Sequence, residues 1–166
     1  MTEIPPDPVH DPVHDPVHDP VHDPLHDPLP APFHALFDFR LLEWRAGHAR
    51  LQATAGPEHM NRAGVVHGGV VLALIDQAAA YAGLHCTVPG NARRGMTLSL
   101  ATQFTAPVMG GAIVAEAEVI GSGASTFFTR VVVRDAAGTV VATGQGTHRW
   151  RRGSETAEGM PVAPQG

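Results

Sequence analysis

The chain contains no lysine; all eleven of its cations are arginine. Arginine suits fork-like contacts to phosphate, yet clusters such as Arg93 and Arg94, or Arg149, Arg151 and Arg152, serve equally well as solvated ends of segments, and no nucleic-acid partner is expected from them. There is one cysteine, Cys86, which excludes an intrachain disulfide framework and fits a reducing compartment. No motif beside it marks a nucleophile. No apolar run reaches the roughly 20 strongly apolar residues of a membrane span, and the first residues have neither the basic start nor the apolar core of a signal peptide. The expectation is a cytoplasmic protein without a membrane partner.

Residues 1–32 are unlike the rest. From Asp7 the unit Asp-Pro-Val/Leu-His recurs every four residues, with Asp at 7, 11, 15, 19, 23 and 27 and His at 10, 14, 18, 22 and 26. A proline at every fourth position forbids a helix and pushes its predecessor towards extended geometry, so a solvated, disordered, polyproline-like tail is predicted. Regular histidines could bind a transition metal, but expanded low-complexity sequence explains the repeat more simply, and no metal is expected. The tail holds Glu3 and six Asp and no cation, so nine of the 16 acids remain in the body against its eleven arginines. The body is therefore close to neutral, and the acidic balance of the whole chain says little about partners.

What is present in the body is organised around residues 61–84, NRAGVVHGGVVLALIDQAAAYAGL. A turn signal at Asn61 and Gly64 leads through His67, Gly68 and Gly69 into some sixteen residues that are apolar or small on every side, broken by Asp76 and Gln77. Such a run without proline reads as a helix, and one apolar all round reads as buried. A carboxylate within it is costly unless compensated, which makes Asp76 the first functional candidate; a local hydrogen bond or an edge position is the alternative. Asp76 lies eight residues beyond Gly68, hence about 12 Å along the axis. One substrate atom cannot touch both within a single subunit.

Around this helix, residues 32–37 are predicted as a short helix entering an apolar stretch at 39–44. Residues His48–Ala55 alternate Ala49, Leu51, Ala53 and Ala55 with polar neighbours, a strand with one dry face. A loop at 88–95 precedes strands at 96–104, 113–120, 126–134 and 139–150, linked by turn signals and so antiparallel. One domain is expected over 33–152, with a flexible C-terminal tail at 153–166. The order predicts an α+β fold, an antiparallel sheet curling around one long central helix.

The constellation Asn61-x-x-Gly64-x-x-His67-Gly68-Gly69, an acid seven beyond Gly69, and a later strand Gly95-Met-Thr97-Leu ending in Thr105-Ala-Pro107 resembles the hotdog-fold acyl-CoA thioesterases. The branch is the one that includes the phenylacetate-pathway (PaaI-like) thioesterases and the human thioesterase superfamily member 2 type. The resemblance spans 33–148 and none of the tail. It implies hydrolysis of a small acyl- or aryl-acyl-CoA, no cofactor, and a homodimer, in many members a dimer of dimers, with sites at the interface.

By the same resemblance Gly68 supplies the amide that polarises the thioester carbonyl, in keeping with the free N–H groups and positive dipole end of a helix start. Asp76 corresponds to the acid that acts as general base on water, or in some proposals as nucleophile. Gly68 of one subunit would then meet Asp76 of the other. Thr97 stands where the human member has a water-positioning serine; a threonine on a strand is also commonplace. Asn61 either caps the turn or orients the carbonyl. His67 is expected to bond neighbouring backbone and shape the substrate-binding loop, which includes Gly69, rather than to act as base. His59, His85 and His148 read as structural or exposed. Phe104, Phe127, Phe128 and Trp150 could line an aryl pocket or belong to the core, and Arg93, Arg94 or Arg149 to Arg152 could hold CoA phosphates. A hotdog hydratase is disfavoured, since its catalytic-histidine loop motif is missing here, and a non-catalytic acyl-CoA binding or scaffolding protein is the remaining alternative.

Overall fold

The computed structural model describes residues 32–162; the repeat tail and the last four residues lie outside the described part. Within it the elements follow the expected order. A 3-10 turn at Pro32–Leu36 leads into β1 (Arg40–Arg45) and β2 (His48–Ala55), then α1 (Gly68–Leu84), a two-residue β3 (Asn91–Ala92), and β4 (Gly95–Phe104), β5 (Gly111–Ser122), β6 (Thr126–Asp135) and β7 (Val140–Trp150). A short β8 (Met160–Pro161) closes the described chain.

Six strands form one antiparallel sheet in the order β1-β2-β5-β6-β7-β4. Alternation along these strands sends Ala49, Leu51 and Ala53 of β2, Ile113, Ala115 and Ala117 of β5, and Val131 and Val133 of β6 to one dry face, where they are fully buried. Helix α1 lies against that face and touches all six strands, so the sheet curls around it. This is the hotdog architecture that the resemblance implies. The approach is close enough to require missing side chains: a Cβ on Gly144 of β7 would stand 2.6 Å from Ile75 Cγ2. Both tryptophans serve the helix end, where carbonyls lack intrahelical donors. Trp44 Nε1 donates to Tyr81 O at 2.8 Å, and Trp150 Nε1 to Gly83 O at 2.9 Å.

The structure departs from the sequence reading at two places. The helix was expected to be buried all round; instead Val70, Val71, Leu74, Ile75, Ala78, Ala79, Ala82 and Gly83 face the sheet, while Gly69, Leu72, Ala73, Asp76, Gln77, Ala80 and Tyr81 form an uncovered or half-covered stripe. Among the described residues its second face has no complete cover. The second difference is the C-terminal boundary. Beyond Arg152 the chain folds back instead of trailing off: β8 pairs with β3, Thr87 N–H donates to Ala157 O at 2.9 Å, Asn91 Nδ2 to Glu158 O at 2.8 Å, and Ser154 is buried. The packed body thus runs on to Val162.

Candidate functional site

The predicted residues fall into two groups at different heights on α1. The first surrounds its start. The ring of His67 is the N-cap, its Nδ1 accepting from Gly69 N–H at 2.9 Å. That bond consumes the Gly69 amide and leaves Nε2 as the protonated nitrogen of the neutral ring. The adjacent Gly68 N–H is the first of the helix and has no helical carbonyl ahead of it. Asn61 holds the preceding loop: its Oδ1 accepts from Ala63 N–H at 2.8 Å and Val65 N–H at 3.4 Å, and its own N–H donates to Val65 O at 2.8 Å. The capping role is therefore made, and among the described residues the Nδ2 donor has no partner.

Phe104, at the end of β4, lies across Gly68, since a Cβ built there would stand 3.2 Å from the ring. Beside the pair opens a cleft of about 380 Å³ lined by Val65, Val66, Val71, Thr105, Pro107 and Val141 among others.

The second group stands two turns along the helix. Asp76 is half-buried on the uncovered stripe, and the Thr97 hydroxyl donates to its Oδ1 at 2.7 Å. Behind Thr97 stands His148, which the sequence reading left as structural or exposed. It is 1% exposed, with Nδ1 3.2 Å from Thr97 Oγ1 and Nε2 3.0 Å from Thr129 Oγ1.

These contacts assign the tautomer. The single hydroxyl proton of Thr97 goes to the carboxylate, which only accepts, so His148 Nδ1–H must donate to Thr97 and bare Nε2 must take the Thr129 proton. The result is a directed chain from Thr129 through His148 and Thr97 to Asp76. Burial lowers the His148 pKa, opposed by the Asp76 charge, which favours the neutral ring this chain requires. The imidazole is stacked on Phe127, centroids 4.7 Å apart and planes at 13°, and glycine at 146 makes room, because a Cβ there would meet Nε2 at 2.3 Å. A signal existed in the sequence: strict alternation on β7 puts Gly144, Gly146, His148 and Trp150 on the dry face.

Thr97 precedes a register shift in the β4–β7 ladder between Thr97 and Ser99, a kind of irregularity that re-aims side chains near sites. The two groups do not meet within one chain. About 12 Å of helix separates Gly68 from Asp76.

The other candidates sort themselves. Phe127 and Trp150 are core, Phe128 is exposed on the outer side of the sheet, and only Phe104 lines the cleft at Gly68. Arg93 is committed to structure, donating to Ser154 O at 3.0 Å and Glu155 O at 3.1 Å while its guanidinium lies 4.7 Å from the Trp150 centroid. Arg149, Arg151 and Arg152 instead line a second cleft of about 580 Å³ with Met96, Ser125, Trp150 and Glu155. Cys86 points into the C-terminal fold-back, its Sγ 3.1 Å from Glu158 O. Among the described residues no helix is long and apolar enough to cross a membrane.

Comparison with known proteins bears on what this arrangement does. Residues 63–142 match the thioesterase superfamily, a stretch that includes both Gly68 and Asp76. A protein of Archaeoglobus fulgidus named "Putative esterase" is 31% identical over 115 residues, 68% of this chain and 70% of that one. Among solved structures, a mutant of the phenylacetic acid degradation protein PaaI from Thermus thermophilus superposes with a TM-score of 0.63 at 26% identity, covering 73% of this chain and 99% of that one. The PaaI protein of E. coli does so with a TM-score of 0.65 at 23% identity over 74% and 86%, a likeness of fold. Sequence match, relative and architecture agree: the chain belongs to the thioesterase superfamily and is a hotdog-fold thioester hydrolase.

Proposed function

We propose that the protein hydrolyses small acyl- or aryl-acyl-CoA thioesters as a homodimer, with Gly68 of one subunit and Asp76 and Thr97 of the other forming each site. The observation that carries this reading is the bond from Thr97 to Asp76 on an open edge. Among the described residues β4 ends the sheet and pairs only with β7, and Met96, Leu98 and Phe104 on it are 46%, 53% and 57% exposed. A long, apolar, unpaired edge is a template for another strand. If two β4 strands pair antiparallel about their middle, Thr97 of one comes opposite Thr102 of the other, two residues short of Phe104. Thr97 holds Asp76 and Phe104 lies on Gly68, so such a pairing carries the acid of one subunit towards the helix start of the other, across the roughly 12 Å that one helix leaves open.

In that site the thioester oxygen docks on the Gly68 N–H at the positive end of the helix, with Asn61 Nδ2 and His67 Nε2–H as further donors from the same loop. Thr97 occupies one oxygen of Asp76 and orients the carboxylate; the other oxygen takes a proton from water. The hydroxide formed adds to the carbonyl carbon, and the negative charge develops on the oxygen facing Gly68. Collapse breaks the C–S bond, and the departing thiolate recovers the proton from Asp76. The cleft of Arg149, Arg151 and Arg152 begins at Met96, next to Thr97, and suits the phosphates of a CoA whose pantetheine arm leaves the site there.

Turnover of a panel of acyl-CoAs by the wild type and by Asp76→Ala tests the reading. Loss of a positioned general base should lower kcat by about 10²–10⁴-fold. Equal rates in the two proteins would remove Asp76 from the mechanism.

A further inference from the structure

The cleft beside Gly68 carries information about the acyl group that the motif does not. No Arg, Asp, Glu or His lines it. Its one polar side chain, Thr105, is already committed, its hydroxyl donating to Val140 O at 2.7 Å. The remaining walls are Val65, Val66, Val71, Pro107, Val141 and the ring of Phe104, with small apolar neighbours between them. A charged or hydroxylated group placed there would lose its hydration and find no side-chain partner.

We infer that this cleft receives the acyl portion of the substrate, that the acyl group is uncharged and apolar, and that Phe104 sets the length accepted. The inference rests on the thioesterase reading above. A carbonyl held at the Gly68 amide sits at the mouth of the cleft, since Gly68 is itself part of the lining, so the acyl chain has an apolar route leading directly from the reacting carbon.

Phe104 is placed to be the limiting wall. It is the last residue of β4, paired with Ala142, and its ring passes within 3.2 Å of the position a Gly68 Cβ would take. The ring stands at the edge of the sheet, 57% exposed in the single chain and outside its buried core, so trimming it leaves that core packed, although in the proposed dimer it lies near the subunit contact. The volume of about 380 Å³ lies at the small end of ligand sites, which run from roughly 300 to 1,000 Å³. An aryl-acetyl group or a short to medium chain fits such a space, and an aromatic wall suits the first of these.

The test uses the full-length wild type, Phe104→Leu and Phe104→Ala with straight-chain acyl-CoAs of increasing length, phenylacetyl-CoA, and succinyl-CoA as the charged counterpart of butyryl-CoA. In the wild type kcat/KM should climb about fourfold per methylene, the worth of one buried CH₂, and then break off at a limiting length. Succinyl-CoA should be on the order of 100-fold poorer than butyryl-CoA, because a carboxylate in the cleft is unpaired. The limit should move to longer chains in Phe104→Leu and further in Phe104→Ala. Comparable rates on succinyl- and butyryl-CoA, or Phe104 variants that scale every substrate by one factor, would overturn the inference while leaving thioester hydrolysis standing. Absence of turnover on every CoA ester would instead remove the reading beneath it, and the inference with it.

Discussion

Replacing His148 with glutamine probes the part of the site that lies behind the proposed catalytic pair. The ring spans two hydroxyls, Thr97 at 3.2 Å and Thr129 at 3.0 Å, and packs flat on Phe127. A glutamine amide can satisfy one hydroxyl and leaves the other buried and unpartnered, at a cost of about 1–3 kcal/mol. Loss of the stacked pair adds about 0.5–1.5 kcal/mol. A destabilisation of about 2–4 kcal/mol is within what a domain with about 5–15 kcal/mol of stability survives. The effect on rate has a different origin. Without the Nδ1–H donor, the Thr97 hydroxyl is free to turn, and the carboxylate it holds loses its aim. Misplacement by about 1 Å is worth on the order of 10²-fold, so kcat should fall about 10–100-fold with KM nearly unchanged, because nothing that binds the acyl group or the CoA has moved. Urea titration gives the stability and steady-state kinetics give the split. A variant that loses stability but keeps kcat would refute the positioning argument.

Two further outcomes follow from the same contacts. Gly83→Ala should destabilise by about 1–3 kcal/mol through overpacking, since its Cβ would lie 2.0 Å from Phe127 Cε2; a melting temperature that rises, as helix propensity alone would give, contradicts this. The second concerns acid. Burial lowers the pKa of His148 below its ordinary 6.5, so the unfolded chain binds a proton that the folded one refuses. The stability tied to this group is complete above pH 6.5 and is lost as pH falls below it towards the folded value. The urea midpoint between about pH 7.5 and 5 should therefore fall less steeply in His148→Gln than in wild type, and parallel slopes would assign the acid sensitivity elsewhere.

Most of the fold was legible because its signals are periodic. Alternation at 48–55 and a proline-free apolar run at 68–84 specify a strand and a helix without reference to anything distant. The misread features depend on pairs far apart in the chain. That α1 is apolar on both faces was visible, but its pattern cannot say which face the sheet covers and which stays uncovered among the described residues. Arg93 looked like a solvated cation because its acceptors, the carbonyls of Ser154 and Glu155, are some sixty residues away. Ser154 and its neighbours looked like a tail for the same reason. Of the two alternatives left for His148, structural or exposed, the first holds: alternation along β7 puts the ring on the dry face, and its partners Thr97 and Thr129 lie on other strands, out of reach of a local reading. Gly68 and Asp76 were legible as candidates through a motif, and under the proposed mechanism their separation along the helix calls for a second subunit.

That requirement is the centre of the account, and mixed dimers test it most directly. Gly68→Val blocks the polarising amide and Asp76→Ala removes the base, so each variant alone should be nearly inactive. Unfolded together and refolded at equal concentration, they should recover about one quarter of the wild-type rate, because half of the dimers are mixed and one of the two symmetric sites in each is intact. No recovery, in mixtures shown to have exchanged subunits, would mean that Gly68 and Asp76 do not meet across an interface.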